Sequence, residues 1–143
     1  MFVSQVLQNK PVHEVVTSGE DTRAAAAAQL MTERGVGALV VLGRGGDIAG
    51  IVTERDILRR FARHGAQLGG MQLAEIMSTP VETVHPDARI EDLLQRMTLK
   101  RFRHLPVVDR GRLVGIVSIG DLVKAILQEK TAEAESLRQY INS

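Results

Sequence analysis

The sequence predicts an α+β protein of two β-α-β-β-α repeats, packed through their sheets with pseudo-twofold symmetry and followed by a C-terminal helix. Three observations predict it. The chain repeats itself: at an offset of 66, Asp21 falls on Asp87, Met31-Thr32 on Met97-Thr98, Leu39 on Leu105 and Val41 on Val107. Each half carries a helical run and then two short aliphatic, β-branched runs joined by a Gly-bearing turn. Both halves close on one pattern, "GIVTERD" over 50–56 and "GIVSIGD" over 115–121. The offset there is 65, because the turn "DRGR" is one residue shorter than "GRGGD", a change that a surface loop absorbs.

The elements follow in order. Short extended pieces, "EVVT" and "VETV", lead into the turn-like "SGEDT" and "HPDAR". Helices follow over 23–34 and 90–101. In the second, Ile90, Leu93, Leu94 and Met97 fit the i, i+3, i+4, i+7 template, while the first is carried by "AAAAAQLM", whose alanines form helix readily and permit close packing. Two hairpins come next, "GALVVL" with "DIAGIV" and "HLPVVD" with "RLVGIV". A last helix begins after each GIV, "ERDILRRFARHG" and "IGDLVKAILQEK". A unit of about 60 residues with a sheet face to cover is marginal alone, so two are expected to stack. The expected divisions are residues 1–65 for the first repeat with the N-terminal segment, 66–74 for a linker, 75–128 for the second repeat, and 129–143 for a helical tail with Leu137, Tyr140 and Ile141 at helical spacing.

Composition excludes several classes of function. With 143 residues, 44% hydrophobic and 24% charged, the chain has material for a core, and no apolar run approaches the ~20 residues that span a membrane. The start, "MFVSQVLQNK", lacks the basic region and long apolar stretch of a secretory signal, so a cytoplasmic location is expected. Zero Cys removes disulfides, thiol catalysis and cysteine-ligated metals. His13, His64, His85 and His104 are scattered without paired spacing, so no metal site is expected. A net charge of +1 and 3% aromatics argue against nucleic acid, for which only the basic face of "LRRFARH" speaks. No phosphate-binding Gly-rich loop, nucleophile elbow or nucleophile-base pair is present, so no catalytic residue is assigned and no enzyme activity is expected.

Two copies of β-α-β-β-α, each ending in G-h-h-(S/T)-x-x-D with "GALVV" and "RHLPVV" upstream, resemble the cystathionine-β-synthase (CBS) domain, and the pair resembles a Bateman module. The likeness covers residues 9–130 and is strongest to stand-alone bacterial CBS pairs. It implies a regulatory, energy-sensing type of module that binds an adenosine-containing ligand (AMP, ADP, ATP, NAD or S-adenosylmethionine) in clefts between the repeats. It implies no required cofactor, a homodimer, and an effector that the sequence does not name.

The residues suit that role. A ribose offers two adjacent hydroxyl donors, and an ionised carboxylate offers two acceptors at compatible spacing; Asp56 and Asp121 provide one each. Thr53 and Ser118 precede them by three residues at a strand-to-helix junction, where free helix N–H groups favour anions. The same residues also read as an N-terminal capping box, worth ~1 kcal/mol and needing no ligand. By the resemblance, the principal cleft joins Ser118, Gly120 and Asp121 to Val36, Gly37 and Ala38 as an adenine slot, to Arg103 and His104 for phosphate, and to the segment from Lys10 to Val15. The secondary cleft joins Thr53, Arg55 and Asp56 to Phe102, with Arg103 and His104 opposite. There Phe102 either stacks on a base or plugs the pocket, and Arg55, in place of Gly120, either meets phosphate or fills space. Plugged clefts give the competing reading, a ligand-free structural or protein-interaction module acting through dimerisation.

Overall fold

In the computed structural model, which describes residues 1–10 and 15–142, β1 (Thr17–Gly19), β2 (Ala38–Leu42) and β3 (Ile48–Thr53) form one sheet in that order. β1 lies parallel to β2, and β2 is antiparallel to β3 with Ala38 opposite Thr53. α2 (Ala24–Arg34) connects β1 to β2, and α3 (Glu54–His64) leaves β3 directly. This is the expected β-α-β-β-α order. The second copy has α5 (Ile90–Lys100), an antiparallel pair of β4 (His104–Asp109) and β5 (Arg112–Ser118), and α6 (Ile119–Asn142). Its first strand shrinks to a single parallel bridge from Val84 to Val107. Pro86 follows two residues later and has no N–H with which to extend a ladder.

The described residues divide into two compact units, 15–82, and 1–10 together with 83–142. Their cores match position by position. α2 buries Ala24, Ala27 and Met31 where α5 buries Ile90, Leu93 and Met97, and Leu39, Val41 and Val52 answer Leu105, Val107 and Val117. The small alanines leave space in the first unit, and a 3-10 helix, Gly65–Gly70, fills it with the buried Leu68.

Three observations add detail to the expected divisions. Residues 66–74, expected as a linker, also pack: Leu68 and Leu73 belong to the first core, which has the small alanine face of α2. The N-terminal segment does not join the first repeat. α1 (Val3–Gln8) inserts Val3 and Val6 into the second core, and Phe2 bridges Arg89. α4 (Leu73–Ile76) plays the same part in the first unit, burying Leu73 and Ile76 while Gln72 bridges Arg23. Each half is thus completed by a short helix that buries residues i and i+3. Over 129–142 the chain is helical, continuing α6 unbroken to Asn142, with every described residue from Lys130 onward exposed.

The glycine that opens each GIV has its reason in these helices. A Cβ on Gly50 would fall 2.5 Å from the Met77 sulfur, and one on Gly115 would fall 2.7 Å from Leu7 Cδ2. Met77 and Leu7 both follow the second buried residue of their helix, so the strand must be bare where that helix crosses it.

Candidate functional site

Both closing aspartates sit in the first turn of a helix, α3 or α6. The Thr53 amide donates to Asp56 Oδ2 at 2.9 Å, and the Asp56 amide donates to Thr53 Oγ1 at 3.3 Å. In the second unit the Ser118 amide donates to Asp121 Oδ2 at 2.9 Å, and the Asp121 amide donates to Ser118 Oγ at 3.1 Å. These are reciprocal capping boxes in which Asp does the work more often done by Glu. The strand before each junction is held against it. Glu54 N–H donates to the Gly37 carbonyl at 3.0 Å and Ile119 N–H to the Arg103 carbonyl at 2.9 Å, and Ala38 and His104 pair with Thr53 and Ser118 across the hairpins.

The two carboxylates part company at their remaining capacity. Asp56 Oδ1 accepts the Ser78 hydroxyl at 3.1 Å, so both of its oxygens are engaged. Asp121 Oδ2 meets Lys10 Nζ at 2.8 Å, and Lys10 also donates to the Ile116 carbonyl at 2.9 Å. Among the described residues, Asp121 Oδ1 takes no hydrogen bond. The Asp121 side chain is 23% exposed and that of Lys10 21%, so the pair is reachable from solvent. Burial pushes the Asp121 carboxyl up, but the Lys10 ammonium and the Ser118 amide and hydroxyl outweigh it and hold the group below the usual carboxylate value. A carboxylate at the positive end of a long helix, ionised and with one oxygen spare, can accept hydroxyl donors.

The second unit holds Lys10, Phe102, Arg103, His104, Ser118, Gly120 and Asp121, with Arg103 exposed and Phe102 packed against the core. A Cβ on Gly120 would meet only Ser118 Oγ, at 3.6 Å, so packing within this unit does not require a glycine. The first unit holds Val15, Val36, Gly37, Ala38, Thr53, Arg55 and Asp56. Arg55 is exposed, Val36 packs against the core, and the Glu54 carboxyl lies 3.4 Å from where a Gly37 Cβ would stand. Residues 11–14 of the expected closing segment, with His13, lie outside the described residues. Sequence reasoning missed Ser78 and the Ile116 carbonyl. A signal for Ser78 existed: Pro11-Val12 after α1 and Pro80-Val81 after α4 mark the two helices as copies, and Ser78 and Lys10 each follow such a helix. Among the described residues no group of three or more His, Asp or Glu could hold a metal, and no helix is long and apolar enough to cross a membrane.

Residues 3–63 and 73–128 match the CBS domain family. The chain belongs to the CBS-domain family. It is 39% identical over 119 residues to the CBS domain-containing protein CBSX3, mitochondrial, of Arabidopsis thaliana, covering 80% of this chain and 58% of that one. This chain therefore spans little more than half of that relative's length. A solved CBS-domain structure from Burkholderia ambifaria MC40-6 is 40% identical, with a TM-score of 0.83 over 90% of this chain and 95% of that one. The CBS domain pair of protein MJ0100, solved in complex with 5′-methylthioadenosine and S-adenosyl-L-methionine, is 26% identical, with a TM-score of 0.76 over 90% of this chain and 98% of that one. The α+β fold and the two repeats are those of CBS-pair structures.

Proposed function

We propose that this CBS pair is a non-catalytic regulatory module that binds an adenosine-containing ligand, with Asp121 accepting the ribose hydroxyls. The observation that carries this reading is an ionised Asp121 at the N-terminus of α6 whose Oδ1 takes no hydrogen bond among the described residues, whereas Asp56 in the equivalent place accepts Thr53 on one oxygen and Ser78 on the other. His104, which faces Ser118 at the start of β4, and Arg103 just before it are the groups proposed to meet phosphate, and Gly37 and Ala38 the backbone proposed to meet adenine. The adenosyl ligands of the MJ0100 pair support the ligand class. The test is a thermal-shift panel with AMP, ADP, ATP, NAD and S-adenosylmethionine. A ligand at a hundredfold excess over its Kd adds about 2.7 kcal/mol to stability, and Asp121→Ala should abolish most of that shift while Asp56→Ala keeps it. Melting that none of the five changes would sink the proposal.

A second reading has its own support. Lys10 occupies Asp121 Oδ2, and each unit exposes apolar side chains on its last helix, Leu58 at 68% and Phe61 at 57% on α3 and Leu127 at 62% on α6, which suit contact with a second copy of the chain. On this reading the product is a homodimer indifferent to nucleotide, which light scattering with and without the five ligands distinguishes.

A further inference from the structure

The contact between Lys10 and Asp121 has a consequence for which ligands can enter. Lys10 comes from just beyond α1 and makes two bonds at the β5–α6 junction, 2.8 Å to Asp121 Oδ2 and 2.9 Å to the Ile116 carbonyl. The ammonium therefore stands on the carboxylate that, on the reading proposed above, takes the ribose. A ribose using both oxygens of Asp121 must displace it. The equivalent donor in the first unit is the neutral hydroxyl of Ser78 on Asp56, which carries no charge that displacement would strand.

We infer that Lys10 is a displaceable lock on Asp121 that makes the site select adenosine ligands bearing a 5′-phosphate over neutral adenosine, because only the phosphorylated ligand gives the displaced ammonium a new anionic partner. The inference rests on Asp121 being the ribose acceptor. A partly exposed lysine on a four-carbon stem can leave the carboxylate without moving its backbone. When it leaves for a neutral nucleoside, a charge-assisted bond is lost and two neutral hydroxyl bonds replace it. When it leaves for a nucleotide, the charge pairing is kept. Until it leaves, only the fraction of molecules with the lock open is competent, and apparent affinity falls by that fraction. Arg103, exposed just before β4, adds to the attraction for phosphate but, among the described residues, does not pair with Asp121. The two contributions are therefore separable by mutation.

The experiment is calorimetric titration of AMP and of adenosine into the wild type and Lys10→Met. The wild type should bind AMP at least about tenfold tighter than adenosine. Lys10→Met should narrow that ratio several-fold, chiefly by binding adenosine more tightly, since the lock is gone while Asp121 stays. Should Lys10→Met melt too low to titrate, Lys10→Gln carries the same comparison, because its amide can still donate to the Ile116 carbonyl. A ratio unchanged by the substitution, or a wild type that binds adenosine as tightly as AMP, overturns the lock while leaving Asp121 as ribose acceptor intact. Binding of neither ligand to either protein overturns both, and binding that survives in Asp121→Ala overturns the ribose assignment and the lock with it.

Discussion

Asp56 and Asp121 occupy one place in two copies of a motif, yet Ser78 takes the second oxygen of Asp56, whereas among the described residues the second oxygen of Asp121 takes no hydrogen bond. The capping role of both was legible, because Thr53 and Ser118 stand at capping spacing from them. Of their outer partners, Lys10 was placed near Asp121 by the resemblance alone, and Ser78 was missed because only the Pro11-Val12 and Pro80-Val81 echo, distant from the motif, points to it. The Lys10 pair has a pH signature. The native carboxyl of Asp121 is depressed, so its contribution to stability is present above the unfolded carboxyl value of about 3.9 and is lost as pH falls through the lower native value. Lys10→Met removes one of the causes of that depression. The gap in melting temperature between wild type and Lys10→Met should be widest above about pH 5 and shrink on acidification below the unfolded value; a gap constant from neutral pH to pH 3 would contradict the pairing. A second residue is informative for the opposite reason. The cap of α2 is Gly35 at φ 65°, and in the same place after α5 stands Arg101 at φ 61°, a left-handed conformation that costs a residue with a Cβ. Arg101→Gly should stabilise the protein by about 0.5–1 kcal/mol in a urea titration.

Among the elements, the strands and long helices were readable because alternation and the 3.6-residue period are local. α1 and α4 were not, since four to six residues with two buried positions make no periodic signal. The 3-10 helix at Gly65–Gly70 was read as linker because its glycines look like flexibility, whereas Leu68 and the small alanines of α2 form a fitted contact. The glycines of the GIV motif record the missing helices. A Cβ on Gly50 would meet Met77 Sδ, Cγ and Cβ at 2.5, 2.7 and 2.9 Å, so the side chain must move from its root. Around Gly115 the obstacle is the branched end of Leu7, which can turn away. Gly50→Ala should therefore cost about 1–3 kcal/mol and Gly115→Ala less, and Met77→Ala should recover part of the Gly50→Ala loss in a double-mutant cycle. Additive losses in that cycle would show that Met77 is not the obstacle.

For the whole molecule, the internal repeat carried most of the information: the order of elements, the paired cores and the two aspartates follow from one 65- or 66-residue offset. What the offset hid is that α1, ahead of the first repeat, completes the second unit, while α4, between the repeats, completes the first. That arrangement brings Lys10 to Asp121 and makes the two junctions chemically unequal. The central claim is that the unequal junction, Asp121, takes the ribose of an adenosine ligand. Its most direct measurement is calorimetric titration, into wild type, Asp56→Ala and Asp121→Ala, of whichever of the five ligands shifts melting most. Losing a charge-assisted acceptor is worth about 1.5–3 kcal/mol, so affinity should fall at least about tenfold in Asp121→Ala and stay near the wild-type value in Asp56→Ala. Equal affinity in all three proteins would contradict the claim.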